Sequence, residues 1–182
     1  MRLFTALDLP RDVVINLEEL LRTLKPRARI SWSKPENLHV TIKFIGEFPP
    51  DRLPELKQAL AGVPRGGAIP VRVRKVGFFP NPHNPRNFWC GIEAPGLEKL
   101  AADSDAATVT VGVEREKREF SPHLTLARIK ERVPMQSLRE AIVGLPSLEF
   151  GEFEARSFFL YESKMQPGGS VYTKLSEFPL LP

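Results

Sequence analysis

The fold is decided by a stretch that alternates between apolar and polar residues and ends at Gly46, Leu38-His39-Val40-Thr41-Ile42-Lys43-Phe44-Ile45. Alternation at period two predicts a β-strand with one buried face. Because residues i and i+2 of a strand share a face, His39 and Thr41 are expected on one side and Val40, Ile42 and Phe44 on the other. The strand therefore presents an imidazole and a hydroxyl group together.

A second stretch repeats this pattern in the C-terminal half, Pro122-His123-Leu124-Thr125-Leu126-Ala127. It places His123 and Thr125 on one face in the same way. His39 follows a predicted strand start at Arg2 by as many positions as His123 follows one at Arg86. Equal spacing of like elements indicates an internal duplication. We expect a single domain over residues 1–182, built from two related halves at about 1–80 and 86–182.

The other patterns predict helices between strands. Apolar residues recur at helical spacing after Pro10, after Pro50, from Gly96 and after Pro134. Further strands are predicted at 2–7, 71–79, 86–93, 149–155, 157–163 and 171–178. Together these elements predict an α+β fold of two lobes with pseudo-two-fold symmetry, in which antiparallel sheets flanked by helices enclose a central cleft.

Composition limits the classes of function. The 182 residues are 42% hydrophobic, yet no apolar run is long enough to span a membrane, so we expect neither a membrane span nor a signal peptide. The single Cys90 excludes an intramolecular disulfide and favours the reducing cytoplasm. The net charge of +4 permits a polyanionic partner, but ordinary solvated surfaces explain it equally well. The sequence gives no sign of an obligate protein partner.

The two histidine–threonine pairs are the candidate functional residues. An imidazole has an unperturbed pKa of about 6.5, so two of them can act as acid and base near neutral pH. The threonine hydroxyls can donate hydrogen bonds to the oxygens of a phosphate. The competing interpretation is that each histidine is a satisfied side chain on a half-buried strand. The repetition of the histidine–threonine pair in two related halves instead favours one shared site.

These residues resemble the doubled His-x-Thr-x signature of the 2H phosphoesterase superfamily. Further similarity to its bacterial RNA 2',3'-cyclic phosphodiesterase family, historically called 2'-5' RNA ligases, lies in the runs Arg2 to Pro10, Glu36 to Thr41, Phe44 to Glu47 and Pro167 to Tyr172. The resemblance extends from about residue 2 to residue 178. It implies an enzyme whose partner is RNA with a 2',3'-cyclic phosphate end, in keeping with the cytoplasmic location that the single cysteine favours.

The resemblance also implies a mechanism. The enzyme would hydrolyse the cyclic phosphate to a 2'-phosphate, and it could join RNA ends through a 2'-5' bond without ATP. His39 would protonate the departing oxygen, and His123 would take the proton from the attacking water. Thr41, Thr125 and Arg128 would bind the phosphate. No metal or other cofactor is expected, because zinc sites usually need three protein ligands and only two histidines converge here.

Some residues near the motifs have two interpretations. Arg128 is either a site residue or a surface ion-pair residue. It lies an odd number of positions after His123, so strict alternation puts it on the opposite face, and a bulge or strand end is needed to bring it to the site. Lys43 is either a phosphate neighbour or a solvated lysine at a strand end.

The other singled-out residues lie outside the two motifs. We expect His83 in an exposed loop and Cys90 in the core. The aromatic residues Trp32, Phe78, Phe79 and Phe88 could stack on a base or pack in the core.

Two other functions remain open from the sequence. A binding module could hold a nucleotide or RNA end in the same cleft without turnover. Alternatively, the enzyme could act on another cyclic nucleotide or on 2'-5' oligoadenylates, as related members of the superfamily do.

Overall fold

A computed structural model describes all of residues 1–182. The strands are β1 (Arg2–Leu7), β2 (Ser31–Trp32), β3 (Val40–Glu47), β4 (Ile69–Phe79), β5 (Asn87–Glu93), β6 (His123–Arg128), β7 (Glu149–Ala155), β8 (Ser157–Gln166) and β9 (Gly169–Pro179). The helices are α1 (Arg11–Leu24), α2 (Leu53–Ala61), α3 (Leu97–Val109) and α4 (Gln136–Val143). The α+β class is confirmed. Of these strands, only the two-residue β2 is absent from the elements that the sequence predicted.

The strands form two antiparallel sheets, one for each lobe. The first sheet has the order β3-β1-β8-β9, and the second has the order β2-β6-β5-β4-β7. Each sheet includes strands from both halves of the chain, because β2 and β4 join the second lobe while β8 and β9 complete the first. The two motif strands, β3 and β6, belong to different sheets and contact each other. They meet at the cleft between the lobes.

Helices cover the face of each sheet that points away from the cleft. On the first sheet, α3 packs on β3 and α2 packs on β9. On the second, α1 packs on β7 through a buried apolar stripe that includes Val13, Leu17 and Leu21. A Cβ at Gly151 of β7 would lie 3.0 Å from Val13, and Gly151 has φ +129°, so this close packing and backbone conformation favour glycine. The cleft faces are left open for ligands.

A β-bulge in β3 changes the expected alternation. Thr41 pairs with Ala6 of β1 and Lys43 pairs with Thr5, so Ile42 is the extra residue. An extra residue reverses the face on which later side chains lie. The prediction that Phe44 lies opposite His39 is therefore wrong. Phe44 pairs with Phe4, on the cleft face of β1, and its side chain is 55% exposed.

A matching bulge occurs in β6. Thr125 pairs with Trp89 of β5, and Arg128 pairs with Asn87, two residues away on the same strand. The extra residue is Leu126, three positions after His123, just as Ile42 lies three positions after His39. This bulge brings Arg128 back to the face that carries His123 and Thr125. The structure thus provides the irregularity that the odd spacing required.

Candidate active site

The imidazole of His39, the residue immediately before β3, is held in one orientation. Its Nδ1 lies 2.7 Å from the carbonyl oxygen of Asn37, and its Nε2 lies 2.9 Å from Oγ1 of Thr41. A carbonyl oxygen can only accept, so Nδ1 carries the hydrogen and donates it. In the neutral ring, Nε2 is then an acceptor for the Thr41 hydroxyl. The motif therefore presents Nε2 beside a threonine hydroxyl.

Aromatic rings surround His39 on the cleft face of the first sheet. The ring centroids of Phe4 and Tyr172 lie 4.8 Å and 5.3 Å from that of the imidazole, and Tyr161 stacks on Phe4. Burial lowers the pKa of His39 below its ordinary value, and the hydrogen bond to the Asn37 carbonyl opposes this shift. Without a ligand, the surroundings thus favour the neutral ring.

A carboxylate lies close enough to affect His39 without contacting it. The negative charge of Asp8 favours the protonated ring and partly offsets the lowering of the His39 pKa. The Tyr161 hydroxyl and the Lys174 ammonium group both donate hydrogen bonds to Asp8. Burial and this neighbouring carboxylate raise the pKa of Tyr161, so its hydroxyl remains a donor. These two hydrogen bonds fix the Asp8 carboxylate within electrostatic reach of the imidazole.

His123 has the same backbone anchor as His39. Its Nδ1 lies 2.8 Å from the carbonyl oxygen of Ser121, two residues earlier, just as His39 bonds to Asn37. The side chain of His123 is exposed, whereas Thr125 is half-buried. The Asn87 amide nitrogen lies 3.4 Å from the Thr125 hydroxyl oxygen. Each half of the chain therefore presents an imidazole Nε2 and a threonine hydroxyl.

The two motifs are within electrostatic reach of each other. The charges of Arg128 and His123 both lower the pKa of His39. No carboxylate lies within 4.0 Å of the guanidinium group of Arg128. A cleft with two imidazoles and an uncompensated arginine is suited to an anion. The structure brings His39, Thr41, His123, Thr125 and Arg128 to this one cleft.

Lys43 has neither of the two roles that the sequence suggested. The bulge turns it away from the cleft, and its side chain is only 4% exposed. Its ammonium group lies 2.7 Å from the Asp105 carboxylate on α3 and donates to the carbonyl oxygen of Glu114. Asp105 also accepts a hydrogen bond from the backbone N–H of Glu116. Lys43 thus connects the first motif strand to the segment that leads into the second.

The remaining candidates lie where the sequence predicted them. His83 is exposed in a loop in which the Asn81 side chain accepts hydrogen bonds from the backbone. Cys90 is buried, and this burial raises the pKa of its thiol to about 12. No group of three or more His, Cys, Asp or Glu side chains is arranged to hold a metal ion. The expectation of a metal-free reaction stays a prediction.

Sequence reasoning missed three residues around His39: Asp8, Tyr161 and Tyr172. Asp8 and Tyr172 lie within runs that carried the family resemblance, which was the available signal. Tyr161 gave no signal of its own, because its position beside Asp8 depends on the pairing of β8 with β1. The position of these side chains around His39 depends on the pairing of strands that are far apart in the sequence.

Comparison with known proteins identifies the family. The family model described as LigT-like phosphoesterase matches residues 7–89 and 92–172. The chain belongs to this family, which confirms the prediction of a phosphoesterase. An RNA 2',3'-cyclic phosphodiesterase from Methanocaldococcus jannaschii is 31% identical over 178 residues, covering 98% of this chain and 100% of that protein.

Solved structures show the same bilobal fold. TT0787 of Thermus thermophilus superimposes with a TM-score of 0.83 at 32% identity, covering 99% of this chain and 98% of that one. LigT of E. coli in complex with 3'-AMP superimposes with a TM-score of 0.77 at 26% identity, covering 98% and 97%. The predicted arrangement of two pseudo-symmetric lobes around a cleft is confirmed. None of the helices has the length and apolar character that crossing a bilayer requires.

Proposed function

We propose that the protein is an RNA 2',3'-cyclic phosphodiesterase that opens a cyclic phosphate end to a 2'-phosphate by paired-histidine acid–base catalysis. One observation carries the proposal: two His-x-Thr motifs from different sheets present equivalent imidazoles and hydroxyls to one cleft. The names of the relatives support the substrate class. The 3'-AMP bound to E. coli LigT supports a nucleotide end as the ligand.

The reaction exchanges one P–O bond for another. Water attacks the phosphorus atom, the bond from phosphorus to the 3' oxygen breaks, and the 2' ester bond stays. His123 Nε2 takes a proton from the attacking water, and His39 donates a proton to the departing 3' oxygen. Thr41 and Thr125 donate hydrogen bonds to the phosphate oxygens, and Arg128 balances their negative charge.

The substrate itself would prepare His39 as the acid. The pKa of the unliganded imidazole is lowered, first by burial and also by the charges of Arg128 and His123. A bound phosphate adds a negative charge that offsets those cations and favours the imidazolium form. Proton uptake at His39 would thus accompany substrate binding.

Ligation would follow from the same bond cleavage. If the 5'-hydroxyl of a second RNA replaces water as the nucleophile, the product is a 2'-5' phosphodiester and the 3' oxygen leaves as before. The energy comes from opening the cyclic ester, so the step consumes no ATP. We place this reaction in the reducing cytoplasm, which suits the single buried thiol of Cys90.

The test uses the three histidines as a matched set. We expect His39→Ala and His123→Ala each to lower kcat on an RNA with a 2',3'-cyclic phosphate end by about 10²–10⁴-fold, the usual range for an acid or base. His83→Ala, in an exposed loop, should retain the wild-type kcat. EDTA should leave the wild-type rate unchanged.

Three results would contradict the proposal. A near-wild-type kcat in both single variants would exclude paired-histidine catalysis. Tight binding of the RNA by the wild-type protein without product would identify a binding module. A much higher kcat/KM for another cyclic nucleotide or for 2'-5' oligoadenylate would assign a different substrate.

A further inference from the structure

An exposed aromatic ring lies on the cleft face of the second sheet, outside the catalytic residues. Phe79, the last residue of β4, is 63% exposed. It pairs with Asn87 of β5, which pairs in turn with Arg128 of β6. Directly paired residues share a face of the sheet, so these three side chains form a row across three strands. Strands lie about 4.8 Å apart, which puts Phe79 on the order of 10 Å from Arg128.

The neighbouring aromatic residues already have packing partners. Phe88 is fully buried, and Phe78 stacks on it with ring centroids 4.9 Å apart. Trp32 packs its edge against Phe88 and donates its indole N–H to the Ala28 carbonyl. Of the four aromatic residues that the sequence offered for base stacking, Phe79 alone is largely exposed.

An aromatic ring lies between the strand positions of Phe79 and Thr125. Trp89 pairs with Thr125 on one side and with Gly77 on the other. A Cβ at Gly77 would lie 2.4 Å from the indole ring, so the ring occupies the space that any other residue would fill. The indole therefore lies across β4 between Thr125 and Phe79. It continues the cleft toward the exposed ring.

Cations without acidic partners surround the same strand ends. The side chains of Arg86, Lys130 and Arg132 are exposed, and none has a carboxylate within 4.0 Å. Farther along β4, Arg72 and Arg74 are paired with glutamates. Arg86 and Arg132 line a cavity of about 490 Å³, in which Glu131 is the one acidic residue.

We propose that Phe79, Arg86, Lys130 and Arg132 form a subsite for the RNA strand that precedes the cyclic phosphate. Phe79 stacks on a base within two or three nucleotides of the end, and the three cations bind the phosphodiester groups between them. The proposal rests on the proposed function and makes it more specific. The preferred substrate is an oligonucleotide rather than a mononucleotide.

The test compares two substrates that share a reactive end. One is a nucleoside 2',3'-cyclic phosphate, and the other is a tetranucleotide RNA ending in the same nucleotide. We expect the wild-type protein to show a kcat/KM at least about tenfold higher on the tetranucleotide, because of a lower KM. Phe79→Ala should remove most of this preference, whereas Phe79→Trp, which retains a stacking surface, should keep it.

The cations are tested separately by the double variant Lys130→Ala/Arg132→Ala. It should raise KM for the tetranucleotide alone and reduce the slope of log KM against log salt concentration by about 1.4, or about 0.7 for each lost phosphate contact. The control is Lys57→Ala/Arg65→Ala, which removes two cations from a pocket under the first sheet. An unchanged rate on the mononucleotide shows that each variant is folded.

The outcomes separate the subsite from the proposed function. Equal kcat/KM values for the two wild-type substrates, or equal effects of Phe79→Ala on both, would overturn the subsite while cyclic phosphodiesterase activity stands. If the wild-type protein hydrolyses neither substrate, the proposed function fails. The subsite is then tested by binding alone, with the affinity for a 3'-phosphorylated tetranucleotide measured by fluorescence anisotropy. Weaker binding to Phe79→Ala than to Phe79→Trp supports the subsite, and equal binding overturns it.

Discussion

The ion pair between Lys43 and Asp105 predicts an asymmetric response to mutation. Lys43 is 4% exposed and Asp105 15% exposed, with 2.7 Å between their charged atoms. Asp105→Ala leaves a buried ammonium group whose remaining partner is the Glu114 carbonyl. Removing one partner of a buried pair costs about 3–5 kcal/mol. For a chain of this length, that loss lowers Tm by about 6–20 °C.

The reverse substitution should cost less. In Lys43→Met the apolar stem remains, and Asp105 keeps the hydrogen bond from the Glu116 N–H and some access to water. We expect a loss of about 1–2 kcal/mol. The double variant should lose less than the sum of the single variants, since it leaves no unpaired charge in the interior.

Equilibrium urea unfolding at pH 7 measures these differences. Lys99→Met is the matched control, because Lys99 pairs with Asp103 on the same helix α3 but is 71% exposed, so its loss should cost under about 0.5 kcal/mol. A Lys43→Met variant as unstable as Asp105→Ala would refute the reasoning. So would an Asp105→Ala variant no less stable than Lys99→Met.

The stability from Asp105 should also depend on pH. Burial acts to raise the pKa of this carboxyl, but the hydrogen bonds from Lys43 and from the Glu116 N–H lower it more, and the net pKa is lowered. A carboxyl with a lowered folded-state pKa stabilises the protein above its ordinary pKa of about 4. This contribution is lost as the pH falls through the folded-state value. The wild-type protein should therefore lose stability relative to Asp105→Ala in acid.

Three further predictions concern individual side chains. The NMR titration midpoint of His39 should lie below 6.5, first because of burial. Arg128→Ala should raise this midpoint, and Asp8→Asn should lower it further. A midpoint that moves with neither variant would contradict the described electrostatics. Gly77→Ala should displace the Trp89 indole, costing about 1–3 kcal/mol in thermal unfolding and changing tryptophan fluorescence. The Cys90 thiol, with its pKa raised to about 12 by burial, should react with a thiol reagent only as fast as the protein unfolds, so rapid labelling of the folded protein would refute this.

The sequence allowed the paired motifs to be found because strand periodicity and spacing are local properties. Both His-x-Thr pairs lie before the bulges, so alternation assigned them to the correct face. Beyond Ile42 and Leu126 the alternation shifts by one residue, which explains why the face of Phe44 was predicted wrongly and why the odd spacing of Arg128 was a difficulty.

Long-range packing explains what else was missed. Lys43 looked like a surface residue because its partner, Asp105, lies 62 residues later in the chain, on α3. Tyr161 meets Asp8 only after β8 has paired with β1. Likewise, the sequence could not predict which of the adjacent residues Phe78 and Phe79 is exposed, because this depends on which face of β4 is covered. Such contacts have no local pattern in the chain.

The matched bulges also bear on the regiochemistry of the proposed reaction. A cleft with perfect two-fold symmetry would accept a cyclic phosphate equally well in either direction, and the 2' and 3' oxygens would be equally placed to leave. Phe44 and Arg128 occupy corresponding positions, five residues after each histidine, but one is an apolar ring and the other a cation. Under the proposed function the ligand has an aromatic base at one end and an anion at the other, so this unlike pair would favour one direction of binding.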